Sequence, residues 1–298
     1  MFARIKPSGI ECMELKALTS LITAAVIFLL TVGVIFALKE SPSAGLITES
    51  ADGRGNKDLR IISLTPSVTE ILYFIGAGDM VKGRTRYCAY PAEVKEKPEL
   101  GGLFDVNYEG VLTLSPDIVI LSELQRDVSA RLKALGINYL TVNHSNFEGV
   151  MQSFSLIGDA VGKDSSGIAE SLNTRIASIR ERAAAYPPKK VLVAVSREGG
   201  RFVVAGSDGF YSEALKLLNA ENPFAKNAPY TTISREGLRW VKPDLIIALS
   251  YQDGVNRETE DGICTVSGSF GFTPGPRFPV LLESFARCIH PEGFTDGS

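Results

Sequence analysis

The sequence predicts an α/β protein of two similar lobes with mainly parallel sheets flanked by helices, joined by a single long helix, plus an N-terminal transmembrane helix. Three observations predict it. First, "EGVLTLSPDIVIL" (109–121) returns as "EGLRWVKPDLIIA" (236–248) without gaps at an offset of 127, which aligns Glu109 with Glu236, Pro116 with Pro243 and Asp117 with Asp244. Second, "RIISL" (60–64) and "KVLVAV" (190–195) are basic-led, continuous apolar runs of strand length at nearly the same offset. Third, residues 17–38 carry no charge for 22 residues. As a helix that segment would be about 33 Å long, enough to span a bilayer.

The apolar run starts after Lys16 and ends at Lys39. A cleaved signal usually has an apolar core of only about 7–15 residues, so an uncleaved anchor over 1–40 is favoured, with Ile35-Phe36-Ala37 as the alternative cleavage site. Arg4, Lys6 and Lys16 place the N-terminus in the cytoplasm and the rest outside it. Cys12 precedes the apolar run and so does not serve as a lipoprotein cysteine, and Met13 is a second candidate start. Residues 41–58, rich in Gly and Ser and aperiodic, read as a flexible tether.

The N-terminal lobe is expected over 59–160. It opens with the strand "LRIISL" and a helix in "TPSVTEILYFIGAG", where Ser67 and Glu70 have capping-box spacing and Val68, Ile71, Leu72 and Ile75 share one face. "GAGDMVKG" imitates a dinucleotide fingerprint, but it follows a helix and has Val81 where the third Gly belongs. The first Glu-Gly unit reads as an N-cap at Asn107, a short helix, a Pro-Asp turn and the strand "DIVILS"; a helix "DVSARLKALG" and a strand "INYLTVN" follow. Residues 147–185 read as helix broken near "GKDSSG", the connecting piece being 161–186 with Ile168, Leu172, Ile176 and Ile179 as its apolar stripe.

The C-terminal lobe, 187–298, repeats the scheme. "REGGRFVVAGSDG" reads as an inserted hairpin and "FYSEALKLLNA" as a helix. The second Glu-Gly unit, capped by Ser234, leads into the strand "DLIIALS"; "GICTVSG" and a last helix "FPVLLESFARCIHPE" close the chain. Alternating strands and helices give parallel sheets covered on both faces. Ligands of such sheets sit beyond the carboxyl ends of the strands, so two facing lobes make one shared cleft.

Composition narrows the function. At 298 residues and 45% apolar content the chain can build two cores, and a net charge of −3 without a basic block leaves no footprint for nucleic acid. The four cysteines form no CxxC or zinc spacing; Cys264 and Cys288 either pair outside the cytoplasm or stay reduced. No hydrolase, zinc-protease or phosphate-loop motif is present, and the two histidines, His144 and His290, stand alone in the sequence.

Taken together, "RIISLTPSVTEILYFIGAGDMVKG", "YCAYPAEV", "NYEGVLTLSPDIVI", "TISREGLRWVKPDLIIAL" and "PGPRFPVLLESFARCIHPE" resemble the helical-backbone (class III) substrate-binding proteins of ABC importers. That group takes up cobalamin, ferric siderophores and haem, and the resemblance is nearest to its cobalamin branch. It implies two lobes with small closing motion, no catalysis and no intrinsic cofactor. The transported ligand would be cobalamin-like or an iron chelate, bound outside the cytoplasm and delivered to a permease driven by its ATPase. Ferric-siderophore or haem binding, and a membrane-tethered sensor on this scaffold, are the alternatives.

By the same resemblance Glu109 and Glu236 dock against permease arginines. Tyr87 and Tyr230 occupy cleft positions that are aromatic in the cobalamin branch, with Phe202 at the hairpin as a third. Phe104 stands beside Leu103, where the branch tends to have Trp; Ser122 is a second such departure. Pro66 and Ser67 are expected to offer backbone N–H groups at the first strand-to-helix turn, and Tyr251 to form the second lobe's rim. Residues 252–261 are shorter than the matching segment of relatives.

Overall fold

The computed structural model describes residues 59–206, 209–224, 228–251, 259–260 and 262–295. The apolar run at 17–38 and the tether at 41–58 lie outside the described residues. Among those described, no helix is long and apolar enough to cross a membrane.

The first lobe holds a parallel sheet in the order β2-β1-β3-β4, made of β1 (Ile61–Ser63), β2 (Val81–Arg84), β3 (Ile118–Ser122) and β4 (Tyr139–Val142). Helices α1 (Pro66–Phe74), α2 (Tyr108–Thr113) and α3 (Arg126–Ala134) connect these strands, and α4 (Phe147–Val161) follows β4. Gly162, left-handed at φ 67°, ends α4, and α5 (Ser166–Ala184) leads to the second lobe. There β5 (Lys189–Glu198) and β6 (Arg201–Ala205) form the expected hairpin, turned by Gly199 and Gly200, both at positive φ as a tight hairpin turn needs. After α6 (Phe210–Leu217) come β7 (Ala220–Glu221), β8 (Tyr230–Ser234), α7 (Arg235–Val241), β9 (Leu245–Ser250), β10 (Thr259–Glu260), β11 (Ile263–Ser267) and α8 (Phe278–Ile289). The second sheet runs β10-β11-β9-β5-β6-β8, with β7 on β5. Its β11, β9 and β5 are mutually parallel, while the hairpin makes the β6 and β8 side antiparallel.

The duplicated phrase has a structural cause. Ile61 lies beside Ile118 in the first sheet, and Val191 beside Leu245 in the second. Each pair of strands starts with the same clasp: Arg60 N–H donates to the Asp117 carboxylate at 2.8 Å, and Lys190 N–H to the Asp244 carboxylate at 2.7 Å. The reverse bonds, Asp117 N–H to Arg60 C=O and Asp244 N–H to Lys190 C=O, complete it. The Pro-Asp turn therefore pins one strand to the residue that opens its neighbour. The caps repeat as well, Asn107 accepting from Gly110 N–H and Ser234 from Gly237 N–H. Glycine follows each Glu because a Cβ there would come within 2.8 Å of Leu100 in one lobe and of Ile233 in the other. Ser115 and Lys242, again 127 apart, are both left-handed, at φ 42° and 47°.

The capping box expected of Ser67 and Glu70 does not form. Thr65 is the N-cap residue and Pro66 begins α1, so Ser67 lies inside the helix and Glu70 turns to Arg277 instead. Cys264 and Cys288 are joined as a disulfide between β11 and α8.

Each sheet packs its outer face on a cluster of its own, around Ile62, Val119 and Leu132 in one lobe and around Leu192, Val204 and Ile246 in the other. Their inner faces share a single core. It runs from Ile61 and Ile120 through Phe154, Ile157 and Ile176 to Val193, Ile247 and Leu282. Phe278 is its junction, with ring centroids 4.8 Å from Phe147 and 4.7 Å from Phe210. Two further bonds cross between the lobes, Phe210 N–H to Ser145 C=O and Phe147 N–H to the Glu213 carboxylate.

Candidate functional site

A cleft of about 420 Å³ opens between the lobes. Leu124, His144 and Ser145, which follow the carboxyl ends of β3 and β4, face Tyr211, Tyr230 and Phe272 of the second lobe across it. This is where strands of an open α/β sheet present a ligand. The described lining contains no Asp, Glu, Lys or Arg.

The aromatic groups are held from behind. Tyr251 stacks on Phe272 with centroids 3.8 Å apart and planes inclined by 5°. Tyr211 donates its hydroxyl to Gly271 C=O at 2.8 Å; burial pushes its pKa up, helped by the neighbouring Tyr230 and Tyr251. Burial also raises the Tyr230 and Tyr251 hydroxyls, although both rings stay open to solvent on one side. Tyr251 feels Tyr87 of the opposite lobe as well, so these two rims lie within electrostatic reach. Phe104 is exposed on a loop fixed by Gln125, whose Nε2 donates to Leu103 C=O at 2.6 Å and to Leu64 C=O.

The floor on the first lobe's side is a hydrogen-bond chain. Ser153 Oγ donates to Gly149 C=O, so it accepts from His144 Nε2; His144 Nδ1 then accepts from the Ser67 hydroxyl at 2.6 Å. Burial pulls the His144 pKa down to about 4. The fold thus brings together a serine and a histidine that the sequence keeps 77 residues apart. A neutral imidazole this weakly basic, facing a serine instead of a carboxylate, is a poor general base, and the chain reads as a brace for the β4 loop.

Three of the expected ligand contacts change. Phe202 is 1% exposed and belongs to the core of the second lobe with Leu192, Val204 and Ile233; residues alternate across β6, and the register that leaves Arg201 in solvent turns Phe202 inward. Pro66 has no backbone N–H to offer. Ser67 is only 4% exposed, its hydroxyl spent on His144, and Gly275 of the second lobe lies over its Cα. Tyr87, Phe104, Tyr230 and Tyr251 are exposed. Sequence reasoning missed Leu124, His144 and Ser145, although all three follow strand ends, and Tyr211, which reads in the sequence only as part of a helix.

Glu109 and Glu236 are both exposed, each in the first turn of its short helix. Asn107, the cap of α2, bonds Leu100, which in turn bonds Arg84 at the carboxyl end of β2. Ser234, the cap of α7, pairs with Arg201 at the hairpin tip beyond the carboxyl end of β5. Both carboxylates therefore stand at the cleft end of their sheets.

An α/β chain whose two lobes enclose a ligand-sized cleft at the strand ends has the architecture of a two-lobed binding protein. The chain belongs to the periplasmic binding protein family, whose pattern it matches over residues 61–266. It is 31% identical over 258 residues to the ABC transporter substrate-binding lipoprotein YvrC of Bacillus subtilis, covering 80% of this chain and 82% of that one. The vitamin B12-binding protein of Photorhabdus laumondii is 24% identical over 79% of this chain and 89% of its own. The fold is shared with a periplasmic haem-binding protein from Pseudomonas aeruginosa (TM-score 0.69, 22% identity, 78% and 93% of the two chains). It is also shared with the periplasmic vitamin B12-binding protein of Vibrio cholerae (TM-score 0.66, 22% identity, 77% and 96%).

Proposed function

We propose that the protein captures a corrinoid of the cobalamin type between its lobes, outside the cytoplasm, and delivers it to the permease of an ATP-driven importer. The observation that carries this reading is the cleft itself, aromatic and apolar with no charged side chain in its described lining. A flat, bulky ligand that is close to neutral overall suits such walls, because ring faces supply contact area and the described lining carries no ion to desolvate. A dicarboxylate such as haem, or an anionic ferric chelate, would be expected to meet Lys or Arg there.

Haem remains the second reading, because tyrosine can serve as an axial ligand and several tyrosines converge here. Calorimetry with cyanocobalamin, ferric siderophores and haem separates these ligands. Binding of haem alone, with a tyrosinate-type visible spectrum, would replace the corrinoid reading.

Delivery is assigned to Glu109 and Glu236, two exposed carboxylates at equivalent places on two lobes, suited to two equivalent arginine-bearing sites. The apolar run at 17–38 would tether the domain to the membrane. Reversing both charges should abolish uptake while leaving ligand affinity within about two-fold; retained uptake would remove both residues from docking.

A further inference from the structure

The two copies of the Glu-Gly unit part company at their fourth and fifth positions. Where the first has Leu112 and Thr113, the second has Arg239 and Trp240. Trp240 is the chain's single tryptophan and it is 86% exposed. Tryptophan is on average a well-covered residue type, and here nothing among the described residues covers it.

Its direction follows from helix geometry. Leu238 and Val241 pack α7 on the second lobe's outer cluster, so the opposite face of the helix is the free one. Residues four apart on a helix are neighbours, which puts Trp240 beside Glu236 on that face. A carboxylate and an indole face side by side are the two groups that bind a guanidinium best, one by paired charge-assisted bonds and the other through its ring face.

Resting on the docking role given to Glu236, we propose that Glu236 and Trp240 together receive one arginine side chain of the permease, the carboxylate gripping the guanidinium edge and the indole covering its face. Arg235, Arg239 and Lys242 flank the pair. Basic residues with a tryptophan also suit an anionic lipid surface, which Glu236 on the same face opposes; an arginine meets repulsion from the flanking cations but satisfies Glu236 and Trp240 together at short range. The first lobe offers Glu109 with Leu112 and Thr113 and no ring. The two docking contacts are therefore unequal, the second lobe holding more firmly.

The test uses the full chain and the importer's own permease–ATPase complex in nanodiscs. With 5-fluorotryptophan incorporated, the protein has a single fluorine resonance, at residue 240. It should shift on adding the complex and stay unchanged with permease-free discs of phosphatidylglycerol. Trp240→Leu should weaken docking about ten- to thirty-fold, Trp240→Phe less, and neither should alter cyanocobalamin binding. In a Glu236→Gln background the Trp240→Leu penalty should shrink below about three-fold, because the two groups share one cation. A shift with lipid discs alone, full docking by Trp240→Leu, or additive losses would each overturn the proposal. If the Glu109→Lys, Glu236→Lys double variant still docks, the docking role itself fails; if that variant loses docking and Trp240→Leu does not, only the shared arginine receptor fails.

Discussion

Arg277, at the head of the last helix, grips Glu70 of the first lobe with both arms of its guanidinium: Nε donates to Oε2 at 2.8 Å and Nη2 to Oε1 at 2.5 Å. Glu70 is 3% exposed, so its nearest compensating charge comes from the other lobe, 207 residues away. The same guanidinium also lies 4.2 Å from the Tyr90 ring centroid and donates to Ser269. Burial still pushes the Glu70 pKa up, outweighing the arginine that lowers it.

Arg277→Met should therefore cost about 3–5 kcal/mol in urea denaturation at pH 7, since it leaves a carboxylate buried and unpaired. Adding Glu70→Gln should restore most of that loss. The single variant should also regain stability relative to wild type as the pH falls toward 5. A carboxyl whose folded pKa is raised binds its proton more tightly when folded, so its penalty grows as pH rises and fades as it falls. A mild effect of Arg277→Met, or one indifferent to pH, would mean the pair does not join the lobes.

His144 acts in the opposite sense. Its folded pKa of about 4 lies below the ordinary 6.5, so the neutral form is the folded one. The associated stability, about 3 kcal/mol, is complete above pH 6.5 and lost as the pH falls from there toward 4. His144→Gln should flatten the pH dependence of the thermal midpoint across that window, as read by circular dichroism at pH 7 and 4.5.

Phe202 and Tyr230 separate core from cleft. Phe202→Ala should destabilise the domain by about 3–5 kcal/mol and leave cyanocobalamin affinity nearly unchanged in the folded fraction. Tyr230→Ala should do the reverse, weakening the ligand about ten-fold with little change in the unfolding midpoint. Chemical denaturation and calorimetry on the two variants decide the matter.

Reduction of Cys264–Cys288 opens a loop defined by a sequence separation of 24. Loop-entropy reasoning assigns that crosslink about 3 kcal/mol, so the Cys264→Ala, Cys288→Ala variant should unfold at correspondingly lower urea. A reductant should shift the wild type and leave the variant where it is.

Much of this architecture was legible because it is written locally. The caps at Asn107 and Ser234 and the stripe of Leu172, Ile176 and Ile179 depend on residues a few positions apart, and each appears in the structure. What escaped depends on distance or on backbone geometry. The capping-box spacing of Glu70 misleads because its true partner lies in the other lobe. Ser67 and His144 meet only through folding. The left-handed Ser115 and Lys242 carry no signature, since neither is Gly, Asn or Asp. The resemblance that puts Phe202 at the cleft is overridden by the alternation within its own strand, which turns it inward.

The aromatic junction at Phe278 sets how the molecule can admit its cargo. Pulling the halves widely apart would strip neighbours from Phe147, Phe210 and Phe278 together and wet surfaces with no other partner. Entry is then a matter of tilting and of rim side chains swinging aside, not of a jaw opening. A receptor of this kind meets its solute almost ready-shaped, so little ordering cost is charged to capture.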